Sequence, residues 1–93
     1  MTADEARLTA WVHGYVRGVG FRWWTRARAL ELGLTGYAAN QNDGRVLVVA
    51  QGARQACEQL LGLLRGGETP GSVDTVVADL TDPGEPMSGF RER

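Results

Sequence analysis

The feature of the sequence that most constrains the fold is a change of hydrophobic period across a glycine-rich loop. Before the loop, apolar and polar residues alternate from Leu8 to Val16, which is typical of a strand with one buried face. After it, apolar residues recur at helical spacing from about Phe21, and the predicted buried stripe consists of Trp23, Ala27, Leu30 and Leu34. The beginning of the chain therefore predicts a strand, a glycine loop and a helix that ends near Gly33.

The rest of the chain contains the same two kinds of pattern. Two extended segments flank Asn42-Asp43-Gly44, and the Asp-Gly pair is typical of a tight hairpin turn. A second helix is predicted from about Arg54 to Leu64, followed by a strand in "VDTVVADL" and a short extended segment around Phe90. The apolar face predicted for this second helix consists of Ala56, Cys57, Leu60 and Leu64.

This order of elements indicates the fold class. Strand, helix, strand, strand, helix, strand is the order of the α+β, ferredoxin-like α/β sandwich (βαββαβ). We expect an antiparallel four- to five-stranded sheet, with strands in the order 4-1-3-2 and two helices on one face. Because 93 residues with 43% apolar composition suit one core, we expect a single domain over residues 1–93.

Composition limits the partners that the chain can have. Ten basic and eleven acidic residues give a net charge of −1, so the broad positive potential of a nucleic-acid-binding protein is missing. The one cysteine, Cys57, excludes an intrachain disulfide, and no apolar run in this sequence has the length of a signal peptide or a membrane span. We therefore expect a cytoplasmic protein that binds neither nucleic acid nor a membrane.

The glycine loop suggests an anion site. Gly18 and Gly20 allow backbone conformations in which neighbouring N–H groups point into one concave nest. The following helix adds its free N-terminal N–H groups, and Arg22 at its start can offer a planar pair of donors to a phosphate. The loop lacks the Gly-Lys-Ser/Thr of a P-loop and the third glycine of the dinucleotide fingerprint. On the pattern alone, a purely structural joint is the alternative.

Two motifs of the chain resemble those of the acylphosphatase family. The hallmark loop of that family, Val-Gln-Gly-Val-x-Phe-Arg, corresponds to Val16-Arg17-Gly18-Val19-Gly20-Phe21-Arg22. Its second motif, Gly-Trp-Val-x-Asn, corresponds to Gly36-Tyr37-Ala38-Ala39-Asn40. The similarity extends through the second predicted helix and "PGSVDTVVADL", so it covers nearly the whole chain.

The resemblance implies an enzyme that hydrolyses the carboxyl-phosphate bond of small acyl phosphates without a metal ion or cofactor. In the family, loop amides hold the phosphate, the loop arginine (here Arg22) binds its oxygens, and the asparagine of the second motif (here Asn40) orients the attacking water. The implied phosphate-binding backbone consists of Arg17, Gly18, Val19, Gly20, Phe21 and Arg22. A non-catalytic phosphate-binding or regulatory module is the alternative. RNA binding ranks third, through the possible stacking residues Trp11, His13 and Tyr15.

Several residues depart from the family pattern, and their effect on activity is left open by the sequence. The departures are Arg17 for the usual glutamine, Gly20 for a larger residue, and Tyr37 and Ala38 for tryptophan and valine. Two other reactive side chains are predicted to have no site role: His13 as a solvated or packing residue, and Cys57 as a buried one. His13 has no partner cluster, and Cys57 lies on an apolar helix face.

The sheet face away from the helices carries an apolar patch in the predicted strand order. It consists of Trp11, Leu47, Val49 and Val77. Cross-strand packing within the sheet is the simpler explanation of this patch, and we expect a monomer. Weak self-association or binding of a partner through the same face is the alternative.

Overall fold

The structure contains the predicted elements in the predicted order. The computed structural model describes residues 4–93. Its elements are β1 (Glu5–Tyr15), α1 (Phe21–Glu31), β2 (Thr35–Asn40), β3 (Val46–Ala53), α2 (Arg54–Arg65), β4 (Ser72–Thr81) and β5 (Phe90–Glu92). Neither of the two helices described over this range is long and apolar enough to cross a membrane.

The five strands form one mixed sheet in the order β4-β1-β3-β2-β5. The predicted order of the first four strands is confirmed, and these strands pair antiparallel. β5 pairs parallel with β2, with Gly36 opposite Phe90. The sheet is therefore mixed, and the expectation of a wholly antiparallel sheet is wrong for β5. The direction of β5 follows from its connection. Thr81 at the end of β4 and Thr35 at the start of β2 lie in one row across the sheet, so the chain crosses there and then runs alongside β2.

Both helices pack on the same face of the sheet, as predicted. The inward-facing residues of β1 are buried at alternate positions, namely Ala6, Leu8, Ala10 and Val12. α2 contributes to this core the face predicted from the sequence, which consists of Ala56, Cys57, Leu60 and Leu64. The core therefore lies between one sheet face and the two helices, and it supports the loop that connects β1 to α1.

The side of α1 that faces the sheet differs from the prediction. Phe21, Thr25 and Ala29 are buried, whereas Trp23 is 62% exposed and Leu30 is 45% exposed. Apolar residues occupy more than one side of this helix, so their spacing alone does not identify the buried side. Phe21, the first residue of the helix, is buried in the core at the end of the glycine loop, which agrees with this rotation.

Both predicted glycine turns are confirmed. Gly33 has a φ of +74°, and the next residue, Leu34, donates its N–H to Ala29 O at 2.9 Å, which is the hydrogen bond of a Schellman helix end. In the hairpin between β2 and β3, Gly44 has a φ of +93° and donates its N–H to Gln41 O at 3.1 Å. This hairpin sets the position of the end of β2, where Asn40 lies.

Residues 82–89 cross the open sheet face and lead into β5. The buried side chain of Gln51 holds this segment, since its Oε1 accepts from Gly84 N–H at 2.9 Å and its Nε2 donates to Glu85 O at 3.1 Å. Arg7 Nε donates to the same Oε1 at 3.0 Å. The order of the C-terminal segment, left open by the sequence, is thereby set, and Phe90 is buried in the core.

The four residues of the predicted apolar patch lie together on the open sheet face. Trp11 is opposite Leu47 on β3 and opposite Val77 on β4. Val49 is buried, whereas Val77 is 55% exposed. The Arg45 guanidinium lies over the Trp11 ring, 4.5 Å from its centre. Part of the patch is therefore covered by a cation of the same chain.

Candidate active site

The loop between β1 and α1 is anchored at both ends and exposed in between. The side chains of Val16 and Phe21 are buried in the core. Arg17, Gly18 and Gly20 are exposed. Because the core holds its two ends, the loop presents its main chain to solvent at a defined position above the end of β1.

The two glycines of the loop are required by backbone conformation and not by lack of space. Gly18 has a φ of +71° and Gly20 a φ of +82°, whereas Val19 between them has no positive φ. A Cβ atom at either glycine would meet no other atom within 4 Å. Positive and negative φ values alternate along these residues. This alternation turns successive N–H groups toward one side, which is the geometry of an anion-binding nest. Gly20, the departure from the family pattern, therefore fits the loop.

The first turn of α1 adds further unpaired donors to the same region. The first hydrogen bond of the helix joins Trp24 N–H to Gly20 O at 2.9 Å. The preceding amides, from Phe21 to Trp23, have no acceptor inside the helix. The first turn contains no acidic residue, and no side chain caps it. The positive end of the helix dipole is thus available to an anion.

Asn40, the residue of the second motif, is the last residue of β2. Its main-chain N–H donates to the main-chain oxygen of Arg93 at 3.0 Å. Its side-chain Oδ1 is buried and accepts no hydrogen bond from residues 4–93. A buried amide oxygen without a donor is costly and rare in folded proteins, so Asn40 Oδ1 is a candidate functional group.

Arg22 and Asn40 meet at one atom. Arg22 Nη1 donates to the main-chain oxygen of Arg93 at 2.8 Å, and Asn40 N–H donates to that same oxygen. The structure therefore brings together the two residues that the resemblance singled out, although they come from different elements. Arg93 itself was missed by the sequence reasoning, because a main-chain oxygen carries no residue-type signal.

Positive charge near the loop is not neutralised by side-chain carboxylates of residues 4–93. The three arginines of the loop and the start of α1 donate to main-chain oxygens: Arg17 to Gln41, Arg22 to Arg93, and Arg26 to Phe90. The three ion pairs described in the structure involve Arg28, Arg45 and Arg54 instead. A chain with a net charge of −1 thus has, at the nest, cations without an acidic side-chain partner among residues 4–93.

Gly71, just before β4, is a second residue that the sequence reasoning missed. It has a φ of +73°, and a Cβ atom there would collide with the main-chain oxygen of Tyr15 and lie 2.9 Å from Val19 Cγ2. The turn before β4 therefore packs against the base of the glycine loop. The only signal in the sequence was a Pro-Gly-Ser breaker, which predicts a turn but not the surface that the turn touches.

The remaining reactive side chains lie away from the site. His13 is half-buried on the open sheet face. Cys57 is buried on α2, and burial raises the pKa of its thiol, which favours the protonated form. The prediction that Cys57 packs in the core is confirmed. Residues 4–93 contain no cluster of three or more His, Cys, Asp and Glu side chains with the spacing of a metal site.

Comparison with known proteins agrees with the geometry of the site. The family model described as Acylphosphatase matches residues 8–92. An acylphosphatase of Mycolicibacterium smegmatis is 74% identical over 90 residues, which is 97% of this chain and 92% of that protein. Among solved structures, an acylphosphatase from Coxiella burnetii is 36% identical, with a TM-score of 0.87 over 97% of this chain and 94% of that one. An acylphosphatase from Bacillus subtilis is 27% identical, with a TM-score of 0.88 over 95% of this chain and 98% of that one. This chain therefore belongs to the acylphosphatase family.

Proposed function

We propose that the chain hydrolyses acyl phosphates, with the backbone of residues 17–22 holding the phosphoryl group and Asn40 holding the attacking water. Family membership supports the reaction, since relatives that match the whole chain are named acylphosphatases. The observation that carries the assignment of residues is the convergence of Arg22 and Asn40 on the main-chain oxygen of Arg93. This convergence supports a site in which the Arg22 guanidinium and Asn40 act beside the same nest.

The nest suits the charge of a phosphoryl group during transfer. Phosphoryl transfer needs positioning and stabilisation of charge on the equatorial oxygens more than covalent participation of the protein. Loop amides and the N-terminus of α1 supply donors that are already oriented before substrate binds. Arg22 uses one N–H for Arg93 and keeps further donors for phosphate oxygens. A small, nearly neutral domain can bind phosphate in this way.

The leaving group needs no general acid. Carboxylic acids have a pKa of about 4, so the carboxylate departs at neutral pH as a stable anion. The site agrees with this chemistry, because residues 16–22 and 36–41 contain no histidine, aspartate or glutamate. The products are the carboxylate and inorganic phosphate.

Asn40 acts by orientation rather than by basicity. Its Oδ1 accepts no hydrogen bond within residues 4–93. Once substrate binding admits a water to this oxygen, Oδ1 can accept one hydrogen bond from it, which directs a lone pair of that water toward phosphorus. An amide is too weak a base to remove a proton at neutral pH, but a fixed nucleophile avoids much of the entropic cost of the attack. Asn40 therefore supplies geometry, and the nest supplies charge.

The principal test is hydrolysis of benzoyl phosphate by the wild-type chain and two arginine variants. Arg22→Ala should lower kcat/KM by about 100- to 1000-fold, as loss of one oriented donor to a transition-state oxyanion does. Arg28→Ala is the matched control on the same helix. Arg28 is paired with Glu31 at 2.6 Å, so its loss should change kcat/KM by less than about twofold.

The outcomes separate the proposal from its alternative. A wild-type chain that is inactive on benzoyl and acetyl phosphate would contradict the reaction. Binding of inorganic phosphate without turnover would indicate the non-catalytic regulatory module, which the names of the relatives do not favour. Equal losses in the two arginine variants would contradict the role of Arg22.

Metal independence and the absence of a cofactor are part of the proposal. The donors assigned to phosphate are main-chain amides and one guanidinium, which need no metal to hold an anion. Activity on benzoyl phosphate should therefore survive extensive treatment with EDTA. Loss of activity that Mg²⁺ or Zn²⁺ restores would contradict this part of the mechanism.

We also propose that the chain is a monomer. The Arg45 guanidinium lies over the Trp11 ring and so reduces the apolar area that is exposed on the open sheet face. This contact supports a monomer. Sedimentation velocity at rising protein concentration should give one species of constant size, and a concentration-dependent dimer would contradict it. The cytoplasmic location stays a prediction.

A further inference from the structure

We infer that the side chain of Arg17 selects acyl phosphates whose acyl part carries a second negative charge, such as another carboxylate. The inference rests on the proposed function, because it concerns the acyl end of a substrate whose phosphate occupies the nest. It assigns a separate task to the side chain of a residue whose main-chain N–H belongs to the phosphate cradle.

The Arg17 side chain crosses from one side of the site to the other. Its main chain lies at the start of the loop, and its Nη1 donates to Gln41 O at 3.0 Å. Gln41 directly follows Asn40 in the sequence. The side chain therefore spans the distance between the nest and the strand end that carries the proposed water-holding amide.

Arg17 lies at the open rim of the site. The residue is exposed, and its Nη1 reaches the strand end beside Asn40, across the mouth of the nest. Because the nest holds the phosphoryl group, the acyl part of a substrate must extend from the nest toward solvent, past this rim. A guanidinium on a long side chain that starts in the nest can reach a second charged group on that acyl part.

The charge of Arg17 is available to a substrate. Its acceptor, Gln41 O, is a neutral carbonyl, and no ion pair among residues 4–93 involves Arg17. The acidic residue of the adjacent turn, Asp43, is already paired with Arg45, with 2.7 Å between Oδ2 and Nε. A carboxylate on the acyl group would gain a guanidinium partner with free N–H donors, and a neutral acyl group would gain none.

The turn between β2 and β3 does not need the hydrogen bond from Arg17. Gln41 O also accepts Gly44 N–H at 3.1 Å, and Gln41 N–H donates to Arg45 O at 2.8 Å. These main-chain bonds remain when the guanidinium moves toward a substrate. For the same reason, replacing the side chain of Arg17 should leave the turn folded.

The test compares benzoyl phosphate with 4-carboxybenzoyl phosphate, whose rigid ring prevents the second carboxylate from attacking its own acyl carbon. The quantity measured is the ratio of kcat/KM for the carboxylated substrate to that for benzoyl phosphate. Arg17→Gln should lower this ratio about three- to tenfold, the range for one partly exposed charge-assisted contact. Arg17→Lys should keep part of the preference, since it retains the charge without the planar fork.

Two controls isolate the charge at this position. Arg65→Gln makes the same change in net charge at the end of α2, where the guanidinium donates to Val76 O at 3.0 Å, and it should leave the ratio unchanged. The uncharged 4-carbamoylbenzoyl phosphate has nearly the same size as the carboxylate, so its ratio to benzoyl phosphate should be equal in the wild type and Arg17→Gln. Raising the salt concentration should lower the wild-type preference for the carboxylate.

The results distinguish this inference from the function on which it rests. A wild-type chain that is active on benzoyl phosphate, with a ratio that Arg17→Gln leaves unchanged, would overturn the inference and leave the proposed function standing. A wild-type chain inactive on all three substrates would contradict the proposed function. A change shared by the charged and uncharged substrates would show that position 17 acts only through the phosphate, which also overturns the inference.

Discussion

The Arg17 side chain joins the glycine loop before α1 to the turn between β2 and β3. The two segments differ in whether their polar groups have partners within the chain. In the turn, Asp43 accepts Arg45 N–H at 3.1 Å and pairs with the Arg45 guanidinium at 2.7 Å. In the loop, the helix start has no side-chain cap, and Arg22 donates to the main-chain oxygen of Arg93 rather than to an acidic side chain. A turn that satisfies its own donors needs no ligand, whereas a segment held in place with unpaired donors is suited to bind one.

Among the variants that test this comparison, we expect Asn40→Ala to have the largest effect on activity. We expect kcat for benzoyl phosphate to fall by about 100- to 1000-fold with KM changed less than about threefold, because the variant loses orientation of the water and not binding of the phosphate. Stability should not fall with activity, since the buried Oδ1 has no hydrogen-bond donor in residues 4–93. Steady-state kinetics and urea unfolding of the same samples provide the check. A variant with wild-type kcat would refute the assignment.

A matched pair of glycine variants should give an intermediate effect. Gly71→Ala and Gly44→Ala both place a side chain at a positive φ, which costs about 1–2 kcal/mol in each case. Only at Gly71 would the new Cβ collide with Tyr15 O, at the base of the loop. We expect kcat/KM to fall about 10- to 100-fold in Gly71→Ala and less than about twofold in Gly44→Ala. Equal losses of activity at equal losses of stability would count against support of the loop by Gly71.

The smallest effect is expected from Asp43→Asn on the turn. The main-chain N–H and the guanidinium of Arg45 hold the pKa of Asp43 below its usual value. A lowered folded-state pKa stabilises the fold at pH values above the unfolded-state pKa of about 4, and this contribution is lost as the pH falls through the folded-state value. At pH 7 the Tm of the variant should be lower than that of the wild type by no more than a few degrees, because the pair is exposed.

Thermal melts of both chains from pH 7 to pH 2 provide the measurement. The difference in Tm should disappear at the acid end, and kcat/KM for benzoyl phosphate should stay within about twofold of wild type at pH 7. A difference in Tm that grows with acidification would contradict the stated origin of the pKa shift.

Features that depend on neighbours in the sequence were predicted well. The positive φ values of Gly18 and Gly20 follow from the conformational freedom of glycine, and the Asp-Gly pair of the hairpin adopts the expected turn. The buried face of α2 was also correct, because its apolar residues lie on one side only. In each case the physical cause acts over a few residues, so a single sequence contains it.

Features that depend on distant packing were predicted poorly or not at all. The spacing of apolar residues along α1 indicated the side of Trp23 and Leu30, but the core instead receives Thr25 and Ala29. A helix with apolar residues on several sides has more than one acceptable rotation until the sheet is present. The contact between Gly71 and the loop is of the same kind, since it requires β4 to lie beside β1.

The sequence by itself determined the composition of the site: a loop whose glycines allow the nest, an arginine at the start of the helix, and an asparagine in a second motif. The tertiary structure alone decided that these parts meet. Arg22 and the oxygen of Arg93 that it shares with Asn40 are separated by 71 residues, and β5 must pair parallel with β2 before that oxygen reaches either of them. Backbone conformation is a local property of residue type, whereas convergence depends on the packing of the whole sheet.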